Sequence, residues 1–293
     1  MGNTWPSPRA EAQNPIYSPD GKWIAFLGHL NGLSSTSNTE VLIVPAAGGE
    51  VKSLWNGFDR SYGPGAGSDS RMDAGGAGPF WSPDGNSLYF ILSDKGYSGI
   101  YKVSLDGKGP EFVGGGVPGN IDACPNYPPV VNSLTAAFPK DGNVALAFNG
   151  CSTLSPNDIF AVKIPVEGCE GPGDAASADS ASLTEPASPA DLAGAANPAS
   201  AAGAKESARS RFGICPLQQV TKVNEEFLST LDLSKPESFT FKSSDGLVLD
   251  GWVMKPIGFK ADKKYPAVIQ VHGGPLSAYG EAFFHEMQLL TSN

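Results

Sequence analysis

The sequence predicts a mostly β chain, built from repeated strand units and closed by a short segment of α/β character. Three observations carry that expectation. A strand–turn unit recurs along the first half of the 293 residues. Glycine and proline are plentiful, 36 and 25 residues against 17% charged, as in turn-rich chains. The final stretch, "VIQVHGGPLSAYGEAFFHEMQLLTSN", reads as a strand, a Gly-Gly loop and an amphipathic segment.

The repeat begins with "YSPDGKWIAFLG" at Tyr17, returns as "WSPDGNSLYFIL" at Trp81, and appears in weaker form as "FPKDGNVALAF" at Phe138. Each copy has an aromatic residue, a Pro/Asp/Gly turn and an apolar strand. A second strand follows each time, in "TEVLIVPAAGGE", "SGIYKVSLDGKG" and "NDIFAVKIPVEG". Turn, strand, turn, strand at a regular period is the unit of a β-propeller blade. The period is 64 positions from Asp20 to Asp84 and 57 from Asp84 to Asp141. Gly-rich loops such as "SYGPGAGSDSRMDAGGAGP" take up the excess; no GxxxxGK[ST] follows a strand, so these loops are read as connections rather than phosphate cradles.

From about 171 to 211 the chain is dominated by Ala, Ser, Pro and Gly and has no aromatic residue. Such a composition cannot bury enough apolar surface to offset its chain entropy, so a disordered insert in the third blade is expected. Structure resumes at "CPLQQVTKVNEEFLSTLDLS", a last blade strand and a linker, in which Asn224 to Glu226 read as a surface turn. "ESFTFKSSDGLVLDGWVMKP" then gives two strands around Asp245-Gly246. "YPAVIQV" has the continuous apolar run of a central parallel strand. Phe283, Phe284, Met287 and Leu290 fall on one helical stripe, suited to a helix that packs on such a sheet. A strand opening into His272-Gly273-Gly274-Pro275 is how α/β-hydrolases build half of an oxyanion hole, because bare glycine backbone can aim an N–H at a developing alkoxide. The expected architecture is a partial β-propeller of about three blades over residues 1–235, followed by the N-terminal part of an α/β-hydrolase domain over 236–293.

Taken together, the "SPDG" blades, the "VNEEFL…LSKPESFTFKSSDG…GWVMKP" junction and "YPAVIQVHGGP" resemble the prolyl oligopeptidase family of serine peptidases, in its acylaminoacyl-peptidase and dipeptidyl-peptidase-like branch. The resemblance implies a propeller that caps a hydrolase domain, with short or N-blocked oligopeptides as substrates and a Ser/Asp/His triad between the two. It implies that Gly274 offers a backbone N–H to the oxyanion, that Gly273 lets the loop turn, that Pro275 fixes it and that His272 has a structural role in the loop. Covalent serine chemistry implies neither metal nor organic cofactor.

The sequence departs from the family pattern at the nucleophile. No G-x-S-x-G elbow is present; "GYSGI" at Gly96 has Ile100 in place of the second glycine and lies inside a blade. Ser277 follows the loop without an elbow or a base, His29 ends a blade strand, and His285 sits on the expected helix. In this fold the triad follows the oxyanion loop, whereas 18 residues follow Pro275 here. The expectation is an internal piece of a larger peptidase, inactive as it stands. A second reading stays open, a propeller-based binding or scaffold module with a vestigial hydrolase stub; a carboxylesterase or lipase sharing the HGG loop would leave the repeats unexplained.

Composition narrows the partners. Thirty acids against 20 bases give a net charge of −10 without a basic cluster, so neither nucleic acid nor an anionic membrane is expected. No apolar run approaches the roughly 18 residues of a membrane span, and the start lacks the pattern of a signal peptide; the expected location is cytoplasmic. Cys124, Cys151, Cys169 and Cys215 contain no CxxC pair, which disfavours zinc and leaves plain thiols as the first expectation. Cys169 and Cys215 bracket the low-complexity insert and are the pair open to a disulfide.

Overall fold

A computed structural model describes residues 11–30, 37–70, 78–116, 127–164, 217–274 and 277–292. The insert at 171–211, Pro275, Cys124 and the pair Cys169 and Cys215 lie outside the described residues.

Three four-stranded antiparallel sheets follow one another along the chain, each a simple meander. The first contains β1 (Glu11–Tyr17), β2 (Trp23–His29), β3 (Glu40–Pro45) and β4 (Lys52–Ser53). The second contains β5 (Phe80–Trp81), β6 (Ser87–Asp94), β7 (Tyr97–Ser104) and β8 (Glu111–Gly115). The third contains β9 (Val130–Ala137), β10 (Val144–Ser152), β11 (Ser155–Ile164) and β12 (Leu217–Gln219). The three copies of the sequence repeat are the turns between the first and second strands of these sheets.

Those turns share a construction. The Ser18 hydroxyl donates to Asp20 Oδ1 at 2.7 Å and accepts the Trp23 N–H at 2.9 Å, and the same Asp20 oxygen accepts the Lys22 N–H at 3.1 Å. In the second copy Ser82 donates to Asp84 Oδ1 at 2.5 Å and accepts the Ser87 N–H at 3.0 Å, and Asp84 accepts the Asn86 N–H at 3.1 Å. Each turn therefore satisfies its own backbone donors through short polar side chains. In the third copy Pro139 stands where the serine would be, and Asp141 is held by Lys163 Nζ at 2.6 Å instead.

Strand alternation sends side chains to two cores. Phe90 and Leu92 of β6 join Tyr101 and Val103 of β7 in a cluster with Ala25, Leu27, Val41, Ile43 and Trp55 of the first repeat. Tyr89, Ile91 and Ile100, one residue out of phase, pack instead with Val131, Leu134, Val144, Leu146, Phe148 and Phe160 of the third sheet. The middle sheet is thus buried on both faces, as period-two alternation with apolar residues at every position requires. Trp55 stacks on Phe90 with ring centroids 5.2 Å apart, and Phe148 stacks on Phe160 at 5.8 Å. Face-to-face stacking of consecutive meanders is a propeller-like arrangement.

After β12 comes a four-residue helix, α1 (Glu225–Leu228), whose Glu225 and Glu226 are exposed. The Asp245-Gly246 signal does make a hairpin: β13 (Glu237–Lys242) pairs antiparallel with β14 (Val248–Val253). Two expectations need correction. "YPAVIQV" joins no sheet among the described residues, and Val268, Ile269 and Val271 are 68, 90 and 81% exposed. An apolar run becomes a strand only when neighbours take up its backbone N–H and C=O groups, and no neighbour is present in the described residues. The terminal helix, α2 (His285–Ser292), does form, but Phe283 and Phe284 precede it and Leu290 is 47% exposed. Its buried contacts are made by Gln288 and Thr291, because the helix docks on polar loop backbone and not on an apolar sheet.

Candidate functional site

The His272-Gly273-Gly274 loop is exposed along its described length. Gly274 has φ 135°, a conformation that side-chain-bearing residues rarely adopt, so this turn requires glycine. At Gly273 an added Cβ would meet nothing within 4 Å, so the backbone stands open to an approaching group. His272 keeps its Nδ1 2.9 Å from its neighbour's carbonyl, Gly273 O, and its ring lies edge-on to Tyr279 with centroids 6.3 Å apart. Tyr279 meets Phe284 edge-on at 5.1 Å. The loop therefore offers backbone next to a small aromatic group, with an imidazole tied into the loop itself.

The stretch after the loop is fastened to the repeat sheets. The Gly67 N–H donates to Ala278 O at 2.8 Å, beside a parallel bridge between Ala66 and Ala278. The Glu281 N–H donates to Gly96 O at 2.9 Å, at the tip of the β6–β7 hairpin. The Trp252 indole of β14 donates to Glu281 Oε1 at 2.8 Å. Asp69 accepts the N–H groups of His285 and Glu286 at 2.7 and 2.6 Å, supplying from a distant loop the acceptor that the first turn of α2 needs. Gln288 exchanges hydrogen bonds with the Ser234 backbone at 2.9 Å and donates to Thr153 O at 3.3 Å. Beneath these contacts Ala66, Val130, Cys151 and Ala282 form a small apolar cluster. Burial raises the Cys151 thiol above its ordinary range, which suits a packing role and not a nucleophile.

The remaining histidines and serines do not converge on the loop. Ser98 of "GYSGI" is 1% exposed and bridges β7 to β9, donating to Val131 O at 2.7 Å and accepting the Val131 N–H at 2.8 Å. His29 is buried at the end of β2, and its Nε2 has no hydrogen-bond partner. Ser277 and His285 are exposed, and no hydrogen bond joins them. Among the described residues no group of three or more His, Cys, Asp or Glu is placed to hold a metal. Sequence reasoning found the glycine loop but missed Asp69, Gly96, Trp252 and Glu281. These four are far apart in sequence, and no local pattern links them.

No family model matches the chain. The chain is 24% identical over 275 residues to dipeptidyl-peptidase 5 of Aspergillus fumigatus, covering 91% of this chain and 35% of that protein. A shorter match, 35% identical over 75 residues, is to the uncharacterized peptidase YuxL of Bacillus subtilis, covering 26% of this chain and 11% of the relative. The acylaminoacyl peptidase of Pyrococcus horikoshii superposes with a TM-score of 0.54 at 19% identity, over 95% of this chain and 30% of that structure. An acylaminoacyl peptidase in complex with Z-Gly-Gly-Phe-chloromethyl ketone gives 0.53 at 20% identity. The chain thus spans about a third of the length of the Aspergillus relative and of the solved peptidases. Its homologues are peptidases, consistent with the dipeptidyl-peptidase and acylaminoacyl-peptidase branch of the prolyl oligopeptidase family at modest identity.

Proposed function

We propose that this chain is a portion of a serine peptidase that hydrolyses short or N-blocked peptides through an acyl-enzyme. In this reading residues 1–235 are about three blades of a propeller, and residues 236–293 open an α/β-hydrolase domain. The observation that carries it is the open glycine loop, with Gly274 at φ 135° beyond an apolar run, in a chain whose homologues are peptidases. When a serine Oγ adds to a peptide carbonyl, the C=O electrons move onto oxygen, and the Gly274 N–H stabilises that alkoxide. A donor of this kind contributes about 10²- to 10³-fold in kcat. The serine and its acid and base come from outside these 293 residues, so the chain by itself turns over no substrate. The similarity over only a third of the homologues' length, and the lack of any G-x-S-x-G, support this.

Fluorophosphonate labelling tests the reading, with the endogenous protein captured through an antibody to this chain and weighed intact. The expected result is a labelled species well above 30.4 kDa. A labelled species at 30.4 kDa would overturn the assignment of the nucleophile. Absence of label at every mass would overturn the peptidase reading in favour of a binding module.

A further inference from the structure

The distribution of the contacts that follow Gly274 carries more than the loop's own geometry does. Ala278, four positions after Gly274, is bonded to Gly67. At Gly280 the chain passes so close to the β6–β7 tip that a Cβ there would lie 2.1 Å from Gly96 O. Gly96 has φ 80°, and a Cβ on it would lie 2.8 Å from the Trp252 ring and 2.9 Å from Gly280 Cα. Two glycines therefore allow backbone to meet backbone here, with the Trp252 ring packed against Gly96. The Glu281 carboxylate, on a residue 8% exposed, receives the Trp252 indole at this same point. Asp69 then holds the start of α2 by two N–H groups, and the Ser68 hydroxyl donates to Phe283 O at 2.5 Å. The loop between the first two sheets, the β6–β7 turn and the hairpin β13–β14 all meet on residues 278–286.

We propose that Asp69, Gly96, Trp252 and Glu281 form a clamp through which the repeat sheets set the position of the His272-Gly273-Gly274 loop. Among the described residues no hydrogen bond joins any of the four to the loop glycines; they are positioning residues, acting through the backbone of residues 278–286. Tyr279, inside this stretch, meets the His272 ring edge-on with centroids 6.3 Å apart and Phe284 at 5.1 Å, so a shift of the clamp reaches the loop through these ring contacts. An oxyanion donor displaced by about 1 Å loses on the order of 10²-fold in rate, so such a clamp bears directly on turnover. The catalytic consequence rests on the reading of Gly274 given above, whereas the clamp itself does not.

The test uses two readouts. Hydrogen exchange on the 293-residue chain compares the native sequence with Asp69→Ala, Asp69→Asn, Glu281→Ala and Glu281→Gln. In the alanine variants the amides of residues 278–286 are expected to exchange about tenfold faster, while those of β10 and β11 keep their protection. Glu281→Gln keeps the one oxygen that Trp252 uses and is expected to restore most of the protection, whereas Asp69→Asn keeps one of two acceptors and is expected to restore part of it. In the whole protein to which this chain belongs, Asp69→Ala should lower kcat about tenfold or more and leave KM within about twofold, with partial recovery in Asp69→Asn, which keeps one of the two acceptors. Unchanged exchange over residues 278–286, or loss spread evenly over all three sheets, would overturn the clamp. Faster exchange with unchanged kcat would overturn its link to the loop. If the native whole protein turns over no peptide, the peptidase reading fails on its own, and exchange still decides the clamp.

Discussion

A single carboxylate shows how far side-chain chemistry reaches in this fold. The Ser82 hydroxyl, and to a lesser degree the backbone and side-chain donors of Asn86, hold the Asp84 carboxyl below the usual carboxylate range. A depressed folded-state value means that the charged turn favours the native state above the unfolded aspartate's pKa of about 4, and that this advantage is lost as pH falls through the folded value. Ser82→Ala removes the donor to Asp84 and the acceptor of the Ser87 N–H, and should cost about 1–2 kcal/mol at pH 7. Urea midpoints at pH 7 and pH 2.5 check it, with the gap between variant and native chain expected to shrink at the lower pH. Equal gaps at both would mean that the carboxylate takes no part. The Ser-x-Asp-Gly string was legible as a turn from the sequence alone, because every group that satisfies it lies within five residues. That Asp141 turns to Lys163 in the third copy was not legible, since this partner arrives from a neighbouring strand.

For the sheets, alternation decides which residues matter most. Phe90 is 0% exposed, stacked on Trp55 and packed between the first and second sheets. Phe90→Ala should cost about 3–5 kcal/mol, whereas Ala147→Ser, on the partly exposed face of β10, should stay within about 0.5 kcal/mol. Denaturant unfolding of the two variants measures the contrast, and equal losses would mean that the sheets do not stack as described. The sequence pattern of β6 and β7 announced these strands correctly, since apolar residues at successive positions suit a sheet covered on both sides. The same kind of run misled at Tyr265 to Val271. Burial of a strand depends on what lies beside it, and a propensity carries no information about neighbours.

Across the whole molecule the apolar surface is unevenly covered. Val268, Ile269 and Val271 stand in solvent, and Phe239, Phe241, Leu247 and Val248 of the exposed hairpin are each about half exposed or more. Exposed apolar side chains in this number favour association. The 293-residue chain is therefore expected to bind a hydrophobic dye and to self-associate at micromolar concentration, and Ile269→Lys to reduce both. Sedimentation velocity with and without the substitution checks this, and a dispersed native chain that ignores the dye would refute it. By itself the sequence determined the repeated strand–turn units, the Asp245-Gly246 hairpin and the glycine loop, because each is specified by residues a few positions apart. Only the tertiary structure decided that Phe90 and Ile91 serve different cores, that α2 docks through Gln288 and Thr291, and that Asp69, Gly96, Trp252 and Glu281 meet. Those outcomes depend on which backbone groups are left without partners once the sheets have stacked, and segments as far apart as Asp69 and His285 supply them.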